Sequence, residues 1–207
     1  MIEVLEGVRP GENQLLEDAF RLRHKVFVEE RGWTALRRED GREFDQFDTP
    51  ATVHQIALID GIVAGYQRLN PTTGPHLLSE VHPHMCDREY ERGPHAWEWS
   101  RYSVSRAHRK DSRYSDVASA LLIGAVEWAL PNGVRQFVIE LHPVWITRFL
   151  ELGFKVMPLG LPVEFDGDPT VAVEVRFEEQ TLHIMRSTRG IHGLVLNANI
   201  RRQANVA

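Results

Sequence analysis

A segment near the start of the chain combines basic, acidic and aromatic side chains at spacings that suit a ligand site. Arg23 and Phe27 are four residues apart in a predicted helix, so both point to one helix face. Asp45 and Asp48 lie three residues apart in a loop that also contains aromatic residues, and Trp33 precedes them. A carboxylate supplies charge for an organic cation, and an aromatic face attracts that cation or stacks on an adenine. Taken singly, Arg23 could also lie at the edge of the apolar stripe, and the two acids could belong to a solvated turn.

Two predicted strands carry a second set of charged residues. Arg68 lies inside a strand, where a buried guanidinium needs a carboxylate or a ligand. In the strand predicted over 96–105, alternation places Glu98 and Ser100 on one face and Arg101 on the other. A central strand covered on both sides would bury Glu98, and burial raises the pKa of a carboxyl towards that of a general base. The alternative is that these polar residues form only the polar face of the sheet.

We expect the two strand arginines to contact the acidic loop. Strict alternation separates Arg101 from Glu98, so both reach one site only if the strand bulges or Arg101 points into the loop. We favour the second arrangement, in which Arg68 and Arg101 form an ion-pair network with the acids. The carboxylates expected in that network are Asp45, Asp48 and Glu98. Its members could be structural supports and need not be catalysts.

The apolar periodicity predicts one α/β domain over residues 1–207, with a mixed sheet. The predicted elements are a helix at 14–29, an ordered polar loop at 31–50, a hairpin at 53–69, a segment with one short helix at 71–95, a strand at 96–105, a helix at 115–130, a strand at 135–141, a helix at 145–152, strands at 154–160 and 170–177, and a helix at 178–190. A helix between two strands implies a right-handed parallel crossover. The expected architecture is a three-layer α-β-α sandwich, with the last ~17 residues frayed.

Composition excludes several classes of protein. The chain has 207 residues, 43% of them hydrophobic, and a formal net charge of −5, which argues against wholesale nucleic-acid binding. No stretch approaches the ~20 apolar residues of a membrane span, and the opening residues show no signal peptide. We therefore expect a cytoplasmic protein with neither a nucleic-acid nor a membrane partner.

Metal binding is not expected. Cys86 is the only cysteine, which excludes an internal disulfide and a cysteine-cluster metal site. His82, His84 and Cys86 alternate in the segment HPHMC, but Pro83 and the lack of a fourth ligand argue against a metal ion.

Together these residues resemble the LuxI-type acyl-homoserine-lactone synthases over about the first half of the chain. The motifs that carry the resemblance are R-x-x-x-F at 23–27, Trp33, D-x-x-D at 45–48, Arg68 and E-x-S-R at 98–101. The resemblance implies that the amine of S-adenosylmethionine attacks an acyl thioester. The methionyl carboxylate then closes a lactone and releases methylthioadenosine, with a role in quorum sensing. Both reactants are substrates, and no cofactor is expected.

The resemblance also implies roles for single residues in binding S-adenosylmethionine. Trp33 and Phe27 would stack on the adenine and the sulfonium, and Arg23 would bind the carboxylate. Asp45 and Asp48 would offer charge to the cationic groups.

In catalysis, Glu98 would accept the proton of the amine, directly or through one water, within a motif that includes Ser100 and Arg101. Backbone amides near 103–105, which include Ser103, and near 141–143 would stabilise the oxyanion.

The second half of the chain would bind the acyl chain. The apolar residues expected there are Trp145, Phe149, Leu122 and the strand Phe137 to Leu141. Ile139 lies where a Thr in the family favours a 3-oxo group, so an unsubstituted acyl chain is expected. The segments DGREFDQFDT and WEWSRY are most similar to the branch that takes branched or aryl acyl-CoA, so we favour acyl-CoA over acyl-carrier protein.

The predicted architecture also resembles the GNAT acetyltransferases, in which a Gly-rich loop binds the pyrophosphate of coenzyme A. Here residues 102–123 contain no glycine, and the basic segment Arg106–Arg113 precedes a helix. Side-chain contacts to a phosphate are therefore expected, although a charged surface loop is the simpler interpretation.

Two other functions stay open from the sequence. A GNAT-type N-acyltransferase acting on another small amine, without lactone formation, would need neither Trp33 nor the pair Asp45 and Asp48. A non-catalytic binding module would tolerate the loss of Glu98 or Arg23, yet both residues are present.

Overall fold

A computed structural model describes residues 1–109, 115–165 and 167–197, together with the short strand Arg201–Arg202. The chain divides into two compact units. The first unit contains Met1–Leu69, Arg101–Ala125 and the segment that starts at Gly193, and the second contains Asn70–Ser100 and Val126–His192. The expectation of a single domain over 1–207 stays a prediction.

The helices and strands follow the predicted order. Up to residue 104 they are β1 (Ile2–Glu6), α1 (Gln14–Arg23), a π-helix (His24–Glu30), a 3-10 helix (Thr34–Leu36), β2 (Val53–Ile59), β3 (Ile62–Pro71), α2 (Leu77–Glu80), a 3-10 helix (Pro83–Met85) and β4 (Ala96–Val104). Beyond it they are a 3-10 helix (Arg106–His108), α3 (Asp116–Ala129), a 3-10 helix (Leu130–Asn132), β5 (Gln136–Leu141), α4 (Val144–Glu151), β6 (Lys155–Pro158), β7 (Val163–Phe165), β8 (Asp168–Arg176), α5 (Glu179–Arg189) and β9 (Arg201–Arg202).

In the first unit, β1 pairs antiparallel with β2 and β2 with β3, while β9 lies parallel to β1. The β2–β3 register sets His54 opposite Arg68 and Ile56 opposite Tyr66, so these four side chains share one face. The helical segment after residue 13 packs its apolar residues into a core with Ile56 and Tyr66. This face of the hairpin is therefore buried, and any charged residue on it needs a partner.

The first helix begins as the sequence predicts but does not continue as an α-helix. Asn13 caps it, with its side chain accepting a hydrogen bond of 3.2 Å from the amide of Leu16. After Arg23 the hydrogen bonding widens, and the amide of Arg31 bonds to the carbonyl of Val26, five residues earlier. The helix predicted over 14–29 is therefore confirmed in extent, and its second half has π-helical hydrogen bonding. A π-helical stretch is rare and is frequently found at functional sites.

In the second unit, β4 and β5 pair in parallel, with Ala96–Glu98 beside Gln136–Val138. β5 pairs antiparallel with β8, and β8 also pairs antiparallel with β6 and β7. The parallel pair flanks α3 in the chain, as the predicted crossover requires. Strands of both directions combined with helices confirm the predicted α/β class and the mixed sheet.

Three short segments differ from the sequence prediction. β1 and β7 were not predicted, because a strand of three to five residues is too short to show alternation. The tail is not frayed up to residue 197, because the amide of Ile2 bonds to the carbonyl of Val195 and that of Asn197 to the carbonyl of Ile2. These backbone hydrogen bonds attach the tail to β1.

Candidate active site

Three arginines and three carboxylates of the first unit alternate in a closed ring of ion pairs. In order around the ring they are Arg23, Glu43, Arg101, Asp45, Arg68 and Asp48. We call this cluster the ion-pair ring. The side chain with the largest exposed fraction is that of Asp45, at 14%. Since the ring has three positive and three negative charges, it carries no net charge.

Arg23, the last residue of α1, makes the first two contacts of the ring. Its Nε donates to Glu43 Oε2 at 2.6 Å, and its Nη1 donates to Asp48 Oδ1 at 2.8 Å. The Arg23 side chain is fully buried, so these contacts replace its hydration. The structure therefore excludes the simpler interpretation of Arg23 as a residue at the edge of the apolar stripe.

The two strand arginines close the ring. Arg68 Nη1 lies 2.6 Å from Asp45 Oδ1 and 3.1 Å from Asp48 Oδ2. Arg101 donates from Nη2 to Asp45 Oδ2 at 2.8 Å, and its Nε lies 3.2 Å from Glu43 Oε2. The prediction that Arg68 and Arg101 contact the acidic loop is confirmed. The third carboxylate of the ring is Glu43, which the sequence analysis missed, and not Glu98 as expected. Glu98 accepts hydrogen bonds from backbone amides of α2.

A backbone irregularity gives Arg101 its direction. Arg101 has φ of +54° within β4, a conformation that residues other than glycine rarely adopt. Strict alternation from Glu98 does not hold through such a residue. Strained backbone of this kind is found where the surrounding contacts fix it, and here the ion pairs with Glu43 and Asp45 do so.

The acidic loop is held by its own hydrogen bonds. The Asp45 amide donates to Asp48 Oδ2 at 2.8 Å, and the Phe47 amide donates to Asp45 Oδ1 at 2.9 Å. The amide of Glu43 donates to the carbonyl of Phe20 in α1 at 3.0 Å. The two aspartate side chains of the D-x-x-D motif thus close a turn by accepting hydrogen bonds from backbone amides. The hydrogen bond from the Glu43 amide connects the loop to α1, the helix that carries Arg23.

The electrostatics keep the ring ionised. Burial would raise the pKa of Glu43 and Asp48, but the neighbouring arginines hold both pKa values below their usual range. Burial likewise opposes the ionisation of Asp45, and Arg68 and Arg101 lower the pKa of that carboxyl. Each carboxylate is already neutralised by two arginines. The expectation that Asp45 and Asp48 offer charge to a cationic ligand stays a prediction.

The predicted aromatic pair lies beside the ring. The rings of Phe27 and Trp33 stack with centroids 5.2 Å apart and planes 13° apart. The amide of Trp33 donates to the carbonyl of Phe27 at 2.9 Å, which fixes the two residues relative to each other. The Arg101 guanidinium lies 5.8 Å from the Phe27 centroid. The described residues of the first unit therefore bring together Arg23, Phe27, Trp33, Asp45, Asp48, Arg68 and Arg101.

Two further buried residues extend from Arg23: Tyr66 contacts Arg23, and His54 contacts Tyr66. The sequence analysis missed both. Tyr66 Oη lies 3.3 Å from Arg23 Nη1 and 2.7 Å from His54 Nδ1. All three side chains are fully buried. Their signal in the sequence is their position: His54, Tyr66 and Arg68 are polar groups on one face of a hairpin that is otherwise apolar on that face.

The buried imidazole predicts an acid-sensitive fold. Burial lowers the pKa of His54 to about 3; the Asp48 carboxylate opposes this shift, and the Arg23 and Arg68 guanidinium groups add to it. Below the ordinary histidine pKa of 6.5 the unfolded chain therefore binds a proton that the folded chain does not, so stability falls as the pH falls. Between pH 7 and pH 5, His54 alone should cost about 2 kcal/mol of unfolding free energy.

Urea unfolding of the wild type and of His54→Asn at pH 7 and pH 5 measures this cost. The loss of stability between the two pH values should be about 2 kcal/mol smaller in the variant. Other titrating groups contribute equally to both proteins and cancel in the difference. Equal losses would contradict a neutral buried His54.

Glu98, in the second unit, is a buried carboxylate held by backbone amides. Its exposed fraction is 3%, and it accepts hydrogen bonds from the amides of Leu77 at 3.2 Å and Leu78 at 2.9 Å. Both donors belong to the first turn of α2, so the turn fixes the carboxylate in place. Ser100, two residues further along β4, is half-buried. The prediction that Glu98 is buried is confirmed.

Ser103 and its neighbours lie in the first unit. The Ser103 hydroxyl is buried and lies 3.5 Å from the carbonyl oxygen of Tyr66. The amide of Ser105 donates to the carbonyl of Ala64 at 2.8 Å. This amide is therefore already used in the sheet, which argues against it as a donor to a developing oxyanion.

Most residues expected to bind an acyl chain lie in the apolar part of the second unit, but Leu122, which is buried in α3, lies in the first unit. Ile139 and Phe149 are buried, and the Phe149 ring contacts those of Trp99 at 5.8 Å and Phe154 at 4.9 Å between centroids. Trp145 is half-buried, with its ring 6.4 Å from that of Phe149. An apolar wall is thus present, with Trp145 at its accessible side.

The basic segment is described only up to Arg109, and Lys110–Arg113 lies outside the described residues. Arg109 Nη1 lies 2.7 Å from Glu30 Oε2. A surface depression of about 720 Å³ is lined by Lys25, Glu29, Glu30, Arg106 and Arg109. Its basic residues could hold a phosphate, although two acids share the depression.

The predictions that the chain binds no metal ion and spans no membrane can be compared with the described residues. Among the described residues, no group of three His, Cys, Asp or Glu side chains could hold a metal ion. His82 Nδ1 lies 2.7 Å from Glu140 Oε2. In the described ranges, every helix is too short or too polar to cross a bilayer.

Comparison with known proteins assigns the family. Residues 9–174 match the autoinducer synthase family model. The isovaleryl-homoserine lactone synthase of Bradyrhizobium diazoefficiens is 42% identical over 197 residues, which cover 94% of this chain and 88% of the relative. The chain therefore belongs to the autoinducer synthase family, the acyl-homoserine-lactone synthases, and is an acyltransferase.

Solved structures agree with this assignment. The structure of BjaI, a CoA-dependent acyl-homoserine lactone synthase, with S-adenosylmethionine and isopentyl-CoA has a TM-score of 0.87 and 38% identity, over 98% of this chain and 94% of that one. An acyl-CoA N-acyltransferase from Pseudomonas aeruginosa has a TM-score of 0.58 at 17% identity, over 84% of this chain and 97% of that one. The second likeness concerns the fold alone and confirms the predicted GNAT-like class.

Proposed function

We propose that this enzyme transfers an acyl group from acyl-CoA to the amine of S-adenosylmethionine and then closes the homoserine lactone. The observation that carries the proposal is the state of Arg23. Its Nη2 is buried and has no hydrogen-bond partner among the described residues, although Nε and Nη1 are both engaged. A buried donor of this kind calls for an acceptor, and a substrate carboxylate is a strong one. BjaI, 38% identical, binds S-adenosylmethionine and isopentyl-CoA.

The aromatic pair completes the site for S-adenosylmethionine. Trp33 is half-buried and offers a stacking surface for the adenine, and Phe27 supports it from the stacked position. Asp45 and Asp48 act through the arginines of the ion-pair ring: the two aspartates help to fix the Arg23 guanidinium, which binds the carboxylate of S-adenosylmethionine. Arg68 and Arg101 complete the same support.

Glu98 is proposed as the general base for the first step. The amine loses a proton to this carboxylate, directly or through one water, and its nitrogen then forms a bond to the thioester carbonyl carbon. The carbon–sulfur bond breaks, and the coenzyme A thiolate leaves with the electron pair and takes up the second proton of the acylated nitrogen. The hydrogen bonds that the carboxylate accepts from two backbone amides of α2 hold Glu98 in place. Ser100 supplies a hydroxyl two residues along the same strand.

Lactone closure is intramolecular. A carboxylate oxygen of the acylated methionine forms a bond to the methylene carbon next to the sulfonium, and the carbon–sulfur bond breaks to release neutral methylthioadenosine. No external base is needed, because the nucleophile is already ionised. The contribution of the protein is then orientation, which a fixed guanidinium at Arg23 provides.

The acyl chain is proposed to pack against the apolar wall of the second unit. Ile139 and Phe149 offer only carbon atoms there, and Trp145 adds a ring at the accessible side. Ile139 cannot donate a hydrogen bond to a 3-oxo group, which favours an unsubstituted acyl chain.

The acyl donor of the proposed reaction is either acyl-CoA or acyl-carrier protein, and a comparison of rates distinguishes the two. With a short branched acyl group and S-adenosylmethionine held constant, acyl-CoA should form methylthioadenosine at least about tenfold faster than the same acyl group on acyl-carrier protein. The physical reason is that Lys25, Arg106 and Arg109 lie at a depression large enough for a nucleotide phosphate. Chromatography of methylthioadenosine gives the initial rates. A faster reaction with the carrier protein would overturn the assignment of acyl-CoA.

A further inference from the structure

The β2–β3 hairpin contributes two buried polar residues, His54 and Tyr66, that belong to none of the ion pairs of the ring. His54 and Tyr66 lie on strands whose register places them on the same face as Arg68. Tyr66 Oη is within 3.3 Å of Arg23 Nη1, and His54 Nδ1 is within 2.7 Å of Tyr66 Oη. Phe20 packs edge-on against the His54 ring at 6.1 Å. The chain of contacts His54–Tyr66–Arg23 is therefore fully buried, with the Phe20 ring against His54.

The direction of these hydrogen bonds follows from the chemistry of the groups. A guanidinium can only donate, so Tyr66 Oη accepts from Arg23. Burial raises the pKa of Tyr66, so the phenol keeps its proton. The acceptor for that proton among the described residues is His54 Nδ1, which makes His54 a neutral imidazole with its proton on Nε2. Each group in the chain thus has one defined role.

We propose that His54 and Tyr66 are positioning residues for S-adenosylmethionine, a role that rests on the proposed function. Tyr66 restricts rotation of the Arg23 guanidinium about its Cδ–Nε bond, and His54 fixes the direction of the Tyr66 hydroxyl proton by accepting it. With Nη1 held by Asp48 and Tyr66, and Nε by Glu43, the free Nη2 has a single direction. The substrate carboxylate therefore meets a donor that is already oriented, and the entropy of ordering it is not lost on binding.

Substitutions at the two positions test this role. His54→Leu removes the acceptor for the Tyr66 proton, and Tyr66→Phe removes the hydroxyl itself. His54→Asn is the matched control, because its side-chain oxygen can lie close to the position of Nδ1 and accept the same proton. Steady-state kinetics with S-adenosylmethionine varied, and then with acyl-CoA varied, give kcat and KM for each protein. A thermal melt of each variant shows that it is folded.

His54→Leu and Tyr66→Phe should each raise the KM for S-adenosylmethionine by about tenfold. The value of kcat and the KM for acyl-CoA should stay within about twofold, because Glu43, Asp48 and the bound carboxylate still orient the guanidinium once S-adenosylmethionine is bound. His54→Asn should retain the wild-type KM. The double variant His54→Leu/Tyr66→Phe should be no worse than Tyr66→Phe, since both residues act through one hydroxyl.

Several results would overturn the role. An unchanged KM for S-adenosylmethionine in Tyr66→Phe would show that the hydroxyl does not orient Arg23. Equal losses in His54→Asn and His54→Leu, or effects that add in the double variant, would assign the two residues to packing alone. A wild-type enzyme that forms no methylthioadenosine contradicts the proposed function instead, so the two failures are distinguishable. If His54→Leu does not fold, Tyr66→Phe and His54→Asn still decide between the outcomes.

Discussion

Glu98→Gln is expected to lower kcat by about 100- to 10,000-fold, because the amide cannot accept the proton of the attacking amine. Gln keeps an oxygen that accepts from the amides of Leu77 and Leu78, so the turn of α2 should be preserved. The KM for S-adenosylmethionine should change little, since its proposed contacts lie with Arg23 and Trp33. Methylthioadenosine release at saturating substrates measures the effect.

Glu80→Gln is the matched control for this experiment. Glu80 is an exposed acid in the same short helix, and its substitution makes the same chemical change without touching the buried carboxylate. Its kcat should equal that of the wild type. A Glu98→Gln enzyme with near wild-type turnover would exclude Glu98 as the base.

Asp48→Ala is expected to cause the largest loss of stability, about 3–5 kcal/mol of unfolding free energy. Asp48 is fully buried between Arg23 and Arg68, and its removal leaves two buried guanidinium groups with one carboxylate partner fewer each. It also removes the acceptor for the Asp45 amide, so the acidic loop loses one of its closing bonds. Urea unfolding at neutral pH measures the change.

Asp18→Ala provides the comparison for an exposed ion pair. Asp18 pairs with Arg21 on the surface of α1, where about half of each side chain is exposed to solvent. Its loss should change the unfolding free energy by no more than about 0.5 kcal/mol. If Asp48→Ala were no more destabilising than Asp18→Ala, the ion-pair ring would not be a structural support.

Much of the fold could be predicted because its strands and helices are long enough to show their period. The β2–β3 hairpin, β4, α3, β5 and α5 all lie within a few residues of their predicted positions. The π-helix after Arg23 could not be predicted, because seven residues fit a period of 3.6 and a wider turn almost equally well. Its hydrogen bonds depend on packing against the hairpin, which local sequence does not encode.

The members of the active site could be predicted better than their connections. Arg23, Asp45, Asp48, Arg68 and Arg101 all belong to the ion-pair ring, as their types and the D-x-x-D spacing indicate. Glu43 was missed, because the loop RREDGREFDQFD holds several acids that look alike in sequence. Only its position under α1, where its amide bonds to the Phe20 carbonyl, distinguishes it.

Two further differences between the predicted and the observed site concern the direction of Arg101 and the buried residues His54 and Tyr66. Period-two alternation assigned Arg101 to the face opposite Glu98, and no sequence signal predicts its positive φ. The position of His54 and Tyr66 beside Arg68 could in principle be predicted, because alternation along the paired strands places all three side chains on the same face of the hairpin. Recognising them requires the strand register, which becomes certain only when the two strands are seen paired.

The ratio of products tests the reaction most directly. Purified enzyme is mixed with S-adenosylmethionine and a short branched acyl-CoA, and free thiol and methylthioadenosine are quantified in the same samples over time. Acylation followed by lactone closure predicts one methylthioadenosine for each coenzyme A thiol released. Thiol release without methylthioadenosine would show that the enzyme stops at N-acylation, and the absence of both products would contradict acyl transfer to S-adenosylmethionine altogether.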